Sequence, residues 1–417
     1  MLYSPMVDES PQNVIMIINP PMKPAEIFTH SLGDGCTITV TNKYHAFNVF
    51  TQPDEDLWTF DRKGRLVGMF LDSINYRRSL DNVFYKKSRF TENGFDFREM
   101  DPIQSEEADN LLSRCFPTLE SIIHIVPDQH REMIHRILEM DFKGLSKDGK
   151  LFNDIYRPIT ILPPDQYMAL VLQITEGCNY NLCTFCDFYR DRPFRIKSLD
   201  EIENHIEKVL QFFGDSISLR KSIFFADANA LVTPIDRLLS VAELIRNRIP
   251  SLKKLFSFID VFTGIRKSVD DFSNLKSAGL HRVYLGVESG NNDLLEFLNK
   301  VQFEDDILTL AESIKTGGIN LGVIFLVGAG GEVFRERHLK DSLNLIKKLP
   351  LGKGDIIYIS EFYKTNPEYE IEMKKYNLTL PSRMEIREMA NEFKLSVKEN
   401  VPRGVAVSIY DIQQFIY

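Results

Sequence analysis

The feature that most restricts the fold is a repeated alternation of apolar runs and helical patterns through the middle of the chain. Residues 168–175, 222–226, 255–259, 283–287, 321–327 and 356–359 are short runs rich in Val, Ile, Leu and Phe. Runs this continuously apolar suit strands buried on both faces, as in a parallel sheet. Between the first two, Leu199, Ile202, Ile206, Val209, Leu210 and Phe213 recur at helical spacing among charged residues. Ser198 followed by Glu201 reads as a capping box at the start of that helix. Similar patterns predict helices over 235–245, 270–277, 305–314 and 335–348, and Gly317-Gly318 makes a C-terminal stop. The expectation is an α/β fold: an open parallel (β/α)6-type barrel over residues 159–364.

The flanks lack this rhythm. Residues 1–158 read as a small α+β appendage, with a hairpin around Asp61-Arg62-Lys63-Gly64 and helices from Ser105 and over 127–140. The run 14–18 reads as a strand ending at Asn19-Pro20-Pro21. Residues 365–417 offer one helix, over 381–398, and a tail.

In a parallel α/β layout the strands' C-terminal ends build the site. Here those ends carry Glu176, Asp227 with Asn229, Asp260, Glu288 with Ser289, the loop 328–332 and Glu361. The first strand runs into a denser signal. Five cysteines in 417 residues are too few for a disulfide scaffold. Cys36 and Cys115 stand alone, but Cys178, Cys183 and Cys186 fall within nine residues. Thiolates are the ligands that iron–sulfur clusters and zinc select. A cubane cluster usually takes four cysteines, so three would leave one iron open. Zinc would need a fourth ligand, and the nearest histidine, His205, lies inside the helix that Ser198 caps.

Taken in order, these residues resemble the radical S-adenosylmethionine (radical SAM) superfamily, in its methylthiotransferase/Elongator-like barrel branch. Thr175-Glu176-Gly177-Cys178 through Phe185-Cys186 resembles the family's cluster loop, with four residues between the first two cysteines where the common spacing has three. Phe225 to Ala230 stands where the family often has a Gly-Gly-Glu edge, though the glycines are absent. Leu285-Gly286-Val287-Glu288-Ser289-Gly290 is similar to the fourth-strand motif, and residues 322–332 loosely resemble the fifth-strand adenine motif. The resemblance implies one [4Fe-4S] cluster on Cys178, Cys183 and Cys186. It implies S-adenosyl-L-methionine (SAM) held by Asp227, Asn229, Glu288, Ser289, Gly328 and Ile359, with Val327 also beside the adenine. It further implies reductive SAM cleavage to a 5′-deoxyadenosyl radical, and an electron donor such as flavodoxin or ferredoxin. The substrate, small molecule or protein, and the class of reaction stay open.

Other features compete with plain structural roles. Asp260, Glu361 and Tyr363 sit at strand ends, where binding competes with capping. Arg192 and Arg195 suit an anion clamp or a surface pair, and His338 reads as a satisfied helix histidine. The Gly328–Gly331 stretch lacks the Lys-Ser/Thr of a phosphate loop. Residues 15–21 resemble the first strand of cobalamin-binding domains, but no Asp-x-His-x-x-Gly motif follows. A net charge of −9 argues against nucleic acid or anionic lipid held by bulk charge. With no apolar run near the roughly 20 residues of a membrane span and no secretory-type start, the expected location is cytoplasmic. Two other readings remain: a degenerate barrel holding a structural cluster or zinc, and an RNA-modifying enzyme.

Overall fold

The computed structural model describes residues 24–300, 302–363 and 365–417. The strand expected over 14–18, and with it the cobalamin-like stretch 15–21, lies outside them. The expected alternation folds into a seven-stranded parallel sheet. Its order runs Ala406–Tyr410, Ile356–Glu361, Asn320–Val327, Leu280–Glu288, Leu255–Ile259, Ser222–Ala226, Ala169–Gln173. Every residue of Ala169–Gln173 and Ser222–Ala226 is buried, which is why these runs are apolar without alternation. Helices cover the outer face. Inside, Phe224, Phe258, Tyr284 and Tyr358 pack ring to ring. The Tyr284 and Tyr358 hydroxyls both donate to Asp165, at 2.7 and 2.8 Å, and Arg282 pairs with the same carboxylate at 2.6 Å. This polar knot closes the end of the barrel where the strands begin.

The seventh strand was not expected from the sequence. Ala406–Tyr410 is an edge strand, buried fully only at Tyr410, so it lacks the continuous apolar signature of its neighbours. The opposite edge is Ala169–Gln173, whose outer polar groups would be orphaned. Tyrosines fill that role. Tyr156 donates to the Val171 carbonyl at 2.9 Å, while Tyr417 accepts from Val171 N–H at 2.9 Å and donates to the Ala169 carbonyl at 3.1 Å.

Before the barrel stands an eight-stranded antiparallel meander, from Glu26–Gly33 to Phe95–Pro102 in sequential order. The expected hairpin forms its strands Leu57–Phe60 and Leu66–Leu71. Helices Ser105–Ser113, Phe116–Ile122, Asp128–Glu139 and Phe142–Ile155 follow, and a separate apolar core includes Trp58, Phe60, Met133 and Ile137. The hairpin turn fastens this unit to the barrel. Lys63 Nζ and Arg65 Nη1 donate to the Phe212 carbonyl, at 3.0 and 3.2 Å. Phe212 lies in the last turn of helix Leu199–Phe213, where carbonyls lack helical partners and cations are favoured. The expected capping box closes the other end of that helix, with Ser198 and Glu201 exchanging both hydrogen bonds. No described helix is long and apolar enough to cross a membrane.

Replacing Tyr417 with Phe keeps the ring that Arg220 covers at 4.8 Å but leaves Val171 N–H without its acceptor. Urea unfolding should show a loss of about 1–3 kcal/mol; an unchanged midpoint would remove Tyr417 from the account of the sheet edge.

Candidate functional site

The C-terminal ends of the parallel strands open on a cavity of about 550 Å³. Cys178, Cys183 and Cys186 all line it. The loop that carries them is fixed at its start. Gly177, at φ +76°, donates its N–H to Asp227 Oδ2 at 3.0 Å, and a Cβ on it would lie 3.0 Å from the Pro193 carbonyl oxygen. The four-residue gap is taken up by Asn181, which adopts a left-handed φ of 49° and places its N–H 3.3 Å from the Cys178 sulfur. Tyr180 stacks on Phe262 at 5.0 Å, and Asn299 Nδ2 donates to the Leu182 carbonyl at 2.9 Å. Arg190 reaches the Cys183 and Cys186 carbonyls from outside. Burial pushes the Cys183 thiol up to about 11 and that of Cys186 to about 12, so ligation there must release protons.

The facing wall is polar. Asp260 takes the Thr263 N–H and hydroxyl on one oxygen, both at 2.7 Å. Its other oxygen accepts from Asn179 at 2.8 Å and Asn229 at 2.6 Å, so one carboxylate ties the cluster loop to two strand ends. Asn229 is 2% exposed, and its Oδ1 is buried without a hydrogen-bond partner. Glu288 sits at a register shift, with φ +61°, which turns its side chain into the cavity. There it pairs with Lys300 at 2.6 Å. Burial opposes the Lys300 charge, yet Glu288 and the nearby thiols outweigh it and push the ammonium up to about 12. Gly286 makes room: a Cβ on it would stand 2.6 Å from Glu288 Oε1 and 2.9 Å from Lys300 Nζ.

Of the six residues expected to hold SAM, Asn229 and Glu288 line this cavity, whereas Asp227, Ser289, Gly328 and Ile359 do not. Asp227 lies behind the wall. Its carboxylate is taken by Gly177 N–H, by Gln173 at 2.8 Å and by Arg192 at 3.2 Å. Ser289 turns outward past the register shift and bonds His338 Nδ1 at 2.7 Å. Gly328, at φ +92°, packs on Ile386 of helix Arg383–Asn400. Ile359 and Val327 face the helices, because side chains alternate along a strand. Their neighbours Ser360, Leu326 and Ile324 face the cavity instead. Glu361 and Tyr363 also line it, but Arg195 spends its charge on Glu176 and Glu201. Lys300 escaped sequence reading altogether: a lone lysine twelve residues past Glu288 carries no spacing signal.

Residues 172–343 match the model of the radical SAM superfamily. The chain carries a radical SAM domain. It is 24% identical over 212 residues to 4′-phospho-dehydrooxetanocin synthase of Priestia megaterium, covering 46% of this chain and 28% of that protein. It is 25% identical over 258 residues to tRNA-2-methylthio-N(6)-dimethylallyladenosine synthase of Clostridium botulinum (strain Eklund 17B / Type B), covering 59% and 53%. The chain thus spans about a quarter to a half of the lengths of these relatives. Among solved structures, it is similar to the radical SAM methyltransferase TsrM from Kitasatospora setae, determined with cobalamin and a [4Fe-4S] cluster bound. That match has a TM-score of 0.41 and 13% identity, and covers 61% of this chain and 57% of that one.

Radical SAM proteins bind a [4Fe-4S] cluster and SAM. The residues of this domain fit both groups: three thiols on one loop, an unpartnered buried acceptor, and an ion pair in a glycine-cleared recess. Among the described residues no three His, Cys, Asp or Glu side chains are gathered around a single-ion position. Lys300→Met leaves Glu288 buried and unpaired, and should lower stability by about 3 kcal/mol in chemical denaturation. The double variant Lys300→Met/Glu288→Gln should recover most of that loss; equal losses in both would show that the pair is not coupled.

Proposed function

We propose that this chain is a radical SAM enzyme that abstracts hydrogen from an organic substrate. Cys178, Cys183 and Cys186 would hold the cluster, one thiolate on each of three irons. The absence of a fourth cysteine beside them supports an open iron where the methionine amine and carboxylate of SAM can bind. Asn229 Oδ1 suits the ammonium of that methionine, since it is an acceptor lacking a donor. Lys300 suits the carboxylate, with Glu288 holding the ammonium in place. Ile324 and Leu326 offer an apolar surface for adenine. Asp227 acts at one remove, positioning the loop through Gly177. Held there, a reduced cluster would supply the single electron that cleaves SAM reductively, and the resulting deoxyadenosyl group would take the hydrogen atom from substrate. Around that chemistry the protein orients the groups and excludes water, with Phe185 shielding the cysteine loop.

The convergence of the three cysteines and the Asn229–Glu288–Lys300 wall on one cavity carries this reading. Anaerobic reconstitution with iron and sulfide, followed by SAM and dithionite, should yield 5′-deoxyadenosine by chromatography. Cys183→Ala should reduce that yield at least a hundredfold. Intact SAM beside a stable cluster would instead favour a structural role for the metal.

An RNA substrate is the second reading, prompted by the tRNA-modifying relative. The chain's −9 charge weighs against it. Salt-dependent retention of total tRNA would support this reading, and its absence would remove it.

A further inference from the structure

The sheet order divides the wall of the cluster cavity. The groups that suit the cluster and SAM lie on or after the first five strands of the barrel, from Ala169–Gln173 to Asn320–Val327. The rest of the wall comes from elsewhere. Ile161 precedes the first strand, Phe188 follows the cysteine loop, Phe362 and Tyr363 follow Ile356–Glu361, and Tyr410 and Ile412 stand at and after the end of the edge strand Ala406–Tyr410. The SAM reading makes no use of these residues.

This side of the cavity is apolar because its polar tips are spent elsewhere. Tyr410 donates its hydroxyl to the Leu162 carbonyl at 2.5 Å, and Tyr284, which also lines the cavity, donates to Asp165 at 2.7 Å. Both therefore offer the cavity their rings. The charged groups are engaged in the same way. Arg387 holds Glu361 at 2.5 Å, both Asp260 oxygens accept hydrogen bonds, and Asp187 is engaged as well. Lys300 is the one cation among the described lining residues, and Glu288 pairs with it at 2.6 Å. An ionised substrate group would thus lose its water without gaining a counter-charge. What stays unengaged here is neutral. The Ser360 hydroxyl and the Gln413 carboxamide both belong to lining residues, and neither has an intramolecular partner among the described residues. Rings suit the rest of the wall, since aromatic side chains stack on them or meet them edge-on.

We propose that the substrate is an uncharged ring compound bearing a hydroxyl or carbonyl group. Its ring lies against Phe188, Phe362 and Ile412, and its polar group meets Ser360 and Gln413. That this molecule is the substrate rests on the radical SAM reading; the preference for a neutral ring rests on the wall.

The test uses the full reconstituted chain with SAM and no reductant, and three probes on one ring system: 2-naphthol, 2-naphthoate and 2-naphthylmethylamine. Calorimetric titration should show 2-naphthol binding about tenfold or more tightly than either ion. Gln413→Leu should weaken 2-naphthol by about threefold or more, and Gln413→Arg should bring 2-naphthoate level with it or above. Equal affinities, tighter binding of either ion, no measurable binding, or affinities unmoved by both variants would overturn the proposal. Failure of the same preparation to form 5′-deoxyadenosine once dithionite is added would overturn the radical reading instead, on which the titration does not depend.

Discussion

The arrangement of the site depends on one buried carboxylate. Asp227 ends the second strand of the parallel sheet, 3% exposed; it accepts from Gly177 N–H and Gln173 and is ion-paired with Arg192. Burial raises its proton affinity, while Arg192 and the two hydrogen bonds oppose that rise. Such a group is costly to leave unpaired, so the loop that satisfies it is held where it leaves the first strand. Gln173 is itself fixed, through the Arg157 backbone and through His205, whose Nε2 accepts the Gln173 N–H at 3.2 Å. Burial lowers His205 to about 3, which keeps it the neutral acceptor this role needs.

From that anchor the rest of the site follows by short links. Asp260 joins Asn179 of the loop to Asn229, and Tyr180 and Asn299 join the loop to the segment that brings in Lys300. The Asp260 links use strand ends, where side chains are free of the ladder and can converge. Lys300 and Glu288 then place one positive and one negative group beside the thiols, in a recess open only because residue 286 is glycine.

The barrel was largely legible because strands buried on both faces must be apolar throughout. Ala406–Tyr410 was not, since an edge strand needs only one apolar face. The cysteine loop announced itself by density. Residues beside it were harder: Asn229 and Glu288 reach the cavity, but the outward turn of Ser289 depends on a register shift that no local propensity encodes. Ile359 was misplaced by one step of strand alternation. The bonds from Arg383 and Arg387 to strand Phe95–Pro102 join segments nearly 300 residues apart, which periodicity cannot foresee.

On the proposed reading, three thiolates would hold a cluster whose open iron faces Asn229, Glu288 and Lys300. Electron paramagnetic resonance of the reduced, reconstituted protein tests it most directly. One reduced [4Fe-4S] signal per chain should appear, and adding SAM should shift it. Lys300→Met should require more SAM for the same shift. Bound zinc without iron, or a cluster signal that SAM leaves unchanged, would contradict the account.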